Sequence, residues 1–273
     1  MPSPLYRLIA LDIDGTILSV YRQVSDCINE ILLECEERGV HIVTATGRSL
    51  VSARSFTKNL SAISSVVSFQ GALVTEPQTG VAVWRKLMGN EHVKEAMDYL
   101  ERKDFEVVAY VEDRIVVEHL THWVKSYSER NGLEVEVGNI RDLERSPYRL
   151  LLVGDEDHIL AVESDMQSEI GNRLYVTRSL PNFCEILNPE AGKERALSWL
   201  CSKNDLTREE VVSFGNGFND IPMLEWSGLG VAMQDSDPLV IDASDDTAPI
   251  ADKDGVASYI RMLLDQNLLG VGL

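Results

Sequence analysis

The segment Leu8-Ile9-Ala10-Leu11-Asp12-Ile13-Asp14-Gly15-Thr16 constrains the fold more than any other stretch of this chain. Its apolar, β-prone start reads as a buried strand. The run stops at two carboxylates one residue apart and a Gly-Thr turn. In an open parallel sheet ligands sit beyond the carboxyl ends of the strands, so Asp12 and Asp14 are expected at a cleft rather than in a core. Strand side chains alternate, yet a turn at Gly15 can bend the backbone until both acids and a main-chain carbonyl face one spot. Hard oxygen ligands gathered in this way suit Mg²⁺, whose octahedron a phosphate and waters complete. The plainer alternative is an Asp-Gly turn after a buried strand, with no chemistry attached.

The β-α rhythm continues. Ser25 is placed to cap a helix whose Ile28, Ile31, Leu32 and Cys35 recur at helical spacing, with Gly39 ending it. Val40 to Thr44 is the next strand; it runs into the turn Thr44-Ala45-Thr46-Gly47-Arg48 and a helix through about Leu60, and Val66 to Phe69 reads as a third strand. Beyond Gly80 short alternating runs, such as Arg114 to Glu118 and Tyr148 to Val153, mix with helical segments near 91 to 103, 121 to 131 and 156 to 169. From Gly192 the rhythm returns: a helix to about Lys203, a strand Val211 to Phe214, a helix Ile221 to Trp226, a strand Gly230 to Met233, and a further helix starting at Asp237-Pro238. The expected fold class is α/β: a Rossmann-like parallel-sheet core built from residues 1–80 and 189–273, with an α+β unit inserted at 81–188.

Composition narrows the partners. With 273 residues, 44% of them hydrophobic, the chain can bury a sizeable core. A formal net charge of −19 argues against nucleic acid and anionic membrane, both of which repel an acidic surface. The apolar stretch from Leu5 to Leu11 carries Arg7 and stops at Asp12, too short for a signal peptide or a membrane span, so a cytoplasmic location is expected. Cys27, Cys35, Cys184 and Cys201 lack any C-x-x-C spacing and sit among apolar neighbours, which predicts reduced, buried thiols rather than disulfides or zinc ligands.

Three more strand or helix ends carry groups that a phosphate-transfer site needs. Thr46 and Gly47 offer a hydroxyl and turn amides to phosphate oxygens, and Arg48 is within reach of a substrate; alone, they read equally as a helix cap with a solvated arginine. Lys193, opening a helix after Gly192, can offset phosphate charge, although a surface lysine is the plainer reading. Gly215-Asn216-Gly217-Phe218-Asn219-Asp220 is a glycine turn after an apolar strand, rich in oxygen ligands, and by itself simply a polar turn.

In this order the four pieces resemble the haloacid dehalogenase superfamily, specifically its Cof-like sugar-phosphatase branch, which carries an α/β cap after the second motif. Asn219-Asp220-Ile221-Pro222-Met223-Leu224, Gly230-Val231-Ala232-Met233 and Asp254-Gly255-Val256-Ala257 add to the resemblance. It implies an Mg²⁺-dependent phosphatase acting on a small phosphorylated metabolite such as a sugar phosphate, with the cap setting specificity. By the same resemblance Asp12 is the nucleophile that forms an aspartyl-phosphate, and Asp14 protonates the leaving oxygen and later activates water. Thr46, Gly47 and Lys193 hold the phosphoryl group, Arg48 and Asn219 contact substrate, and Mg²⁺ is bound by Asp12, the Asp14 carbonyl, Asn216 and Asp220. A second copy of the chain is an open partner.

Three positions depart from the family pattern. Asn216 stands where the fourth motif usually has Asp, and an amide carries no charge toward Mg²⁺. Gln70-Gly71-Ala72 replaces Asn-Gly-Ala, and Gln234-Asp235-Ser236 replaces Gly-Asn-Ala, so Asp235 is a candidate to compensate for Asn216. The departures keep two alternatives open: a catalytically weak sugar-phosphate or metal-binding module, and a phosphotransferase. His119-x-x-His122 lacks a third metal ligand nearby, and Asp252-Lys253-Asp254-Gly255 starts like a calcium loop without its later ligands.

Overall fold

The computed structural model describes residues 5–18, 24–101, 103 and 105–270. In chain order the first elements are β1 (Leu8–Leu11), α1 (Asp26–Glu37), β2 (His41–Ala45), α2 (Leu50–Thr57), β3 (Ile63–Ser68), β4 (Leu73–Thr75) and β5 (Ala82–Arg85). They are followed by α3 (Asn90–Leu100), β6 (Glu106–Val111), β7 (Arg114–Val117), α4 (His122–Asn131), β8 (Glu134–Val137), β9 (Arg149–Val153), α5 (Glu156–Ile170), β10 (Tyr175–Leu180) and β11 (Phe183–Leu187). The last are α6 (Lys193–Lys203), β12 (Val211–Gly215), α7 (Ile221–Trp226), β13 (Leu229–Met233), α8 (Pro238–Asp242), β14 (Asp246–Ala248) and α9 (Gly255–Asp265). The chain divides into two compact units, one from Met1–Ser49, Ala53–Trp84 and Gly192–Leu273, the other from Leu50–Ser52 and Arg85–Ala191.

The first unit is a doubly wound sheet in the order β14-β13-β12-β1-β2-β3-β4-β5. The strands from β14 to β3 run parallel, and β4 turns back antiparallel on β3. Every residue of β1 is buried, as its unbroken apolar run predicts. Ile9 and Leu11 face a core completed by Ile28, Ile31 and Leu32 of α1 and Ile260, Leu263 and Leu264 of α9. Leu8 and Ala10 face the opposite layer, with Ala196, Leu197 and Leu200 of α6. A fully buried side chain such as Leu32 contributes about 1.5–3 kcal/mol relative to exposure. β1 lies between β2 and β12, the place where the strand order reverses direction and where open α/β sheets form their crevice.

The second unit is a six-stranded sheet in the order β10-β11-β9-β6-β7-β8, antiparallel except for the β7–β8 pair. Val93, Ala96, Met97 and Leu100 of α3 and Ile159, Val162, Met166 and Ile170 of α5 fill one core against it. α4 brings Tyr127 to Tyr110 of β6, and a buried Arg149–Glu185 ion pair lies beside them with the Arg149 guanidinium 4.3 Å from the Tyr110 ring centroid.

Several elements differ from the sequence reading. Ser25 does cap α1, its hydroxyl accepting from the Ile28 amide at 3.3 Å. The third strand, expected over Val66–Phe69, instead runs Ile63–Ser68, because Phe69 and Gln70 turn to positive φ of 49° and 53°. The helix before it, expected to reach about Leu60, is α2, which stops at Thr57 and is closed by a turn from Thr57 to Leu60. Cys35, Cys184 and Cys201 are buried, but Cys27 is exposed because it sits on the outer face of α1's first turn. Burial pushes the Cys35 thiol up to about 12 and that of Cys201 to about 11, so both stay protonated at neutral pH. The inserted stretch holds more strands than its sequence pattern indicated, β6, β8, β10 and β11 among them. Among the described residues no helix is long and apolar enough to cross a membrane.

Candidate active site

All the candidate residues of the sheet unit stand at carboxyl ends of its strands or at the start of α6. The Asp12 amide donates to Phe214 O at 3.0 Å, extending the β1–β12 ladder by one step, after which the chain leaves the sheet. Ile13 O then accepts from the amides of Thr16, Ile17 and Leu18, winding the loop into a tight turn. Gly15 holds that turn at φ +85°, where a Cβ would meet the Asn216 amide at 2.3 Å.

Lys193 is the centre of the site. It is fully buried, and its Nζ donates to Asp12 Oδ1 at 2.7 Å and to Asp220 Oδ1 at 2.6 Å. Asp220 Oδ2 accepts in turn from the Asn216 and Gly217 amides at 3.0 and 2.9 Å, so its carboxylate is held by three donors. Burial, then the nearby Asp220 charge, lifts the Asp12 carboxyl from 3.8 to about 7, although Lys193 pulls the other way. Burial works against the Lys193 ammonium, but Asp12 and Asp220 outweigh it and raise its pKa. One cation between two buried carboxylates leaves a net negative charge, which adds to burial in making Asp12 a poor acid.

The two N-terminal acids do not share one partner. Asp14 is largely exposed, and its carboxylate takes a bidentate pair from Arg48 Nε and Nη2 at 2.7 and 2.6 Å. That hydrogen bond raises the Arg48 pKa further. Thr46 is buried, and its Oγ1 accepts from the Arg48 amide at 3.1 Å, which leaves the hydroxyl proton able to donate to an incoming oxygen. Asn219 Nδ2 donates to Gln70 Oε1 at 3.0 Å. The Thr16 hydroxyl, which sequence reasoning passed over, donates to Asn216 Oδ1 at 3.3 Å; its only signal was its place after Asp14-Gly15.

Asp235 is exposed beyond β13 and has no hydrogen bond or ion pair among the described residues, so the structure gives the compensation idea no contact to rest on. His119 and His122 are both exposed, and among the described residues no three His, Cys, Asp or Glu side chains converge as a metal cage. Gly255 packs against the Pro249 carbonyl and opens α9, so Asp252–Gly255 is a helix entry rather than a calcium loop.

Asp12, the Asp14 carbonyl, Asn216 Oδ1 and Asp220 offer hard oxygens and no soft ligand, and the two carboxylates that bring charge, Asp12 and Asp220, already share Lys193. Such a set fits an ion that keeps several waters and takes phosphate oxygens, which describes Mg²⁺ better than an ion needing an all-protein cage.

Residues 9–260 match the haloacid dehalogenase-like hydrolase family. The chain belongs to that family. A 5-amino-6-(5-phospho-D-ribitylamino)uracil phosphatase of Bacillus subtilis, YcsE, is 27% identical over 257 residues, covering 93% of this chain and 94% of its own. The pyridoxal phosphate phosphatase YbhA of Escherichia coli is 24% identical over 246 residues, covering 86% and 90%. A haloacid dehalogenase-like hydrolase from Bacteroides thetaiotaomicron superposes with a TM-score of 0.78 at 28% identity, covering 94% of this chain and 99% of that one. The protein is therefore a hydrolase of the haloacid dehalogenase type, similar across nearly its whole length to named phosphatases.

Proposed function

We propose that this hydrolase cleaves the phosphate monoester of a small metabolite, a sugar phosphate or a related phosphoester, in a cytoplasmic setting. The observation that carries the reading is the buried Asp12–Lys193–Asp220 cluster at the strand-order reversal, with Thr46 and the Asp14–Arg48 pair beside it. The two relatives named act on two different small phosphorylated metabolites, which supports the class and leaves the individual substrate open.

In this reading Asp12 Oδ2, free of Lys193, attacks phosphorus; a P–O bond to aspartate forms as the ester P–O bond breaks. Lys193 fixes the other carboxylate oxygen, so attack needs no reorganisation of the nucleophile. Asp14 gives a proton to the leaving oxygen and then takes one from the water that hydrolyses the aspartyl-phosphate, regenerating Asp12. Its pair with Arg48 has to open first, and the freed carboxylate has to take up a proton from solvent before it can give one to the leaving oxygen. A phosphate dianion competes for the Arg48 fork, so substrate binding itself releases Asp14. The Thr46 hydroxyl and the Gly47 amide bind phosphate oxygens, and Asn219 contacts the substrate. Asp12, the Asp14 carbonyl, Asn216 and Asp220 would hold Mg²⁺, which when bound offsets the negative charge between nucleophile and phosphate.

A panel of phosphorylated metabolites assayed for released inorganic phosphate with Mg²⁺ tests the proposal. Turnover of at least one phosphomonoester is expected. Binding without turnover would establish a binding module instead, and transfer of the phosphoryl group to added sugar acceptors a phosphotransferase.

A further inference from the structure

The turn Phe69-Gln70-Gly71 carries no charged or nucleophilic side chain, yet it touches three of the four loops that form the site. Phe69 and Gln70 both sit at positive φ, 49° and 53°, and Gly71 follows at 91°. Two consecutive left-handed non-glycine residues are strained, and strain of this kind persists only where the surroundings over-determine it. Here they do. The Phe69 amide donates to Arg48 O at 2.9 Å and the Gln70 amide to Thr46 O at 3.1 Å, fixing the second loop. Gly71 lies so close to Gly192, the residue before Lys193, that a Cβ would come within 2.0 Å of its carbonyl oxygen.

The Gln70 side chain adds the third tie. It is fully buried, and its Oε1 accepts from Asn219 Nδ2 at 3.0 Å. The other end of the same amide lies over Gly47: a Cβ there would meet Gln70 Nε2 at 2.4 Å, and the three atoms nearest to it all belong to Gln70. One rigid amide thus fills the distance between the loop bearing Thr46 and Gly47 and the loop bearing Asn219 and Asp220.

We propose that Gln70 is a positioning residue of the phosphate site: its side-chain amide, wedged between Gly47 and Asn219, sets the separation of the two phosphate-facing loops. The inference rests on the phosphatase reading. Donors held in place before the ligand arrives cost nothing to organise, so a loosened wedge is felt in phosphate affinity rather than only in the fold.

The test measures the Kd for inorganic phosphate by calorimetry in the presence of Mg²⁺, with Tm alongside, for the wild type, Gln70→Ala, Gly47→Ala and the double variant. Gln70→Ala should weaken phosphate binding by about tenfold, the upper range for losing one neutral hydrogen-bonded tie. Gly47→Ala should do the same, because its methyl drives the amide off Asn219. In the double variant the three Gln70 atoms nearest to that methyl are gone, so phosphate binding should be no weaker than in Gln70→Ala alone. If Gln70→Ala does not fold, Gln70→Gly, which relieves the left-handed backbone, carries the same comparison. Phosphate affinity unchanged within about twofold while Tm falls, or effects that simply add, would overturn the proposal. A wild type that binds no phosphate would overturn the phosphatase reading and the inference with it.

Discussion

Replacing Lys193 by Met removes the only cation from the cluster while keeping a side chain of similar length. Its Nζ lies 2.7 Å from Asp12 and 2.6 Å from Asp220. At an effective dielectric of about 20, a unit-charge pair at the 2.7 Å of Lys193–Asp12 is worth about 6 kcal/mol before desolvation. Desolvation offsets much of this, and breaking a buried pair by deleting one partner costs about 3–5 kcal/mol because the survivors stay buried and unpaired. At pH 8 Lys193→Met should therefore lower Tm by about 6–20 °C. The pH dependence carries the sharper signature. Asp12 already sits at about 7, lifted first by burial and then by Asp220, and Lys193 is what restrains it. Without the lysine its folded-state pKa climbs further above the unfolded value, so the folded mutant takes up a proton that the unfolded chain releases. A raised folded pKa gives stability that is present at low pH and lost as pH rises through it. The mutant penalty should then be largest at pH 8 and shrink toward pH 5, as measured by urea unfolding of the metal-free protein. A penalty below about 1 kcal/mol at pH 8, or one equal at pH 5 and pH 8, would refute the charge assignment.

Asp12→Asn should abolish phosphate release with the fold retained, since an amide is a poor nucleophile; measurable turnover would remove Asp12 from that role. By the same linkage the metal-free wild type should lose stability as pH rises from about 4 through about 7, where Asp12 gives up its proton, and Asp12→Asn should flatten that decline in urea unfolding. Asn216→Asp puts a charged oxygen where Thr16 already donates, and should lower by about tenfold the Mg²⁺ concentration that half-saturates thermal stabilisation, an effect of about 1.4 kcal/mol. An unchanged midpoint would place Asn216 outside the metal's reach.

Short stretches of the chain were enough to read the strand ends and the residue types they carry. The unbroken apolar run of β1, the Ser25 cap and the Asp237-Pro238 helix start are local patterns, and local backbone physics realised them within the sheet. The four loops were legible for the same reason, since each follows directly on an apolar run. What those loops do to one another depends on long-range packing. Lys193 read locally as a surface lysine, and only the order β12-β1-β2 brings it to Asp12, 181 residues away, and buries it. Asp12 and Asp14, neighbours in sequence, were separated onto Lys193 and Arg48 because the chain leaves the sheet between them. Gln70 appeared in the sequence only as a departure from a pattern, and its left-handed turn follows from contacts to Thr46, Arg48 and Asn219 that no short window contains. Periodicity reports which face of an element is apolar; the pairing of elements far apart in the chain depends on loop closure and on packing summed over the whole core, and it is that sum which fixes the charges of the site.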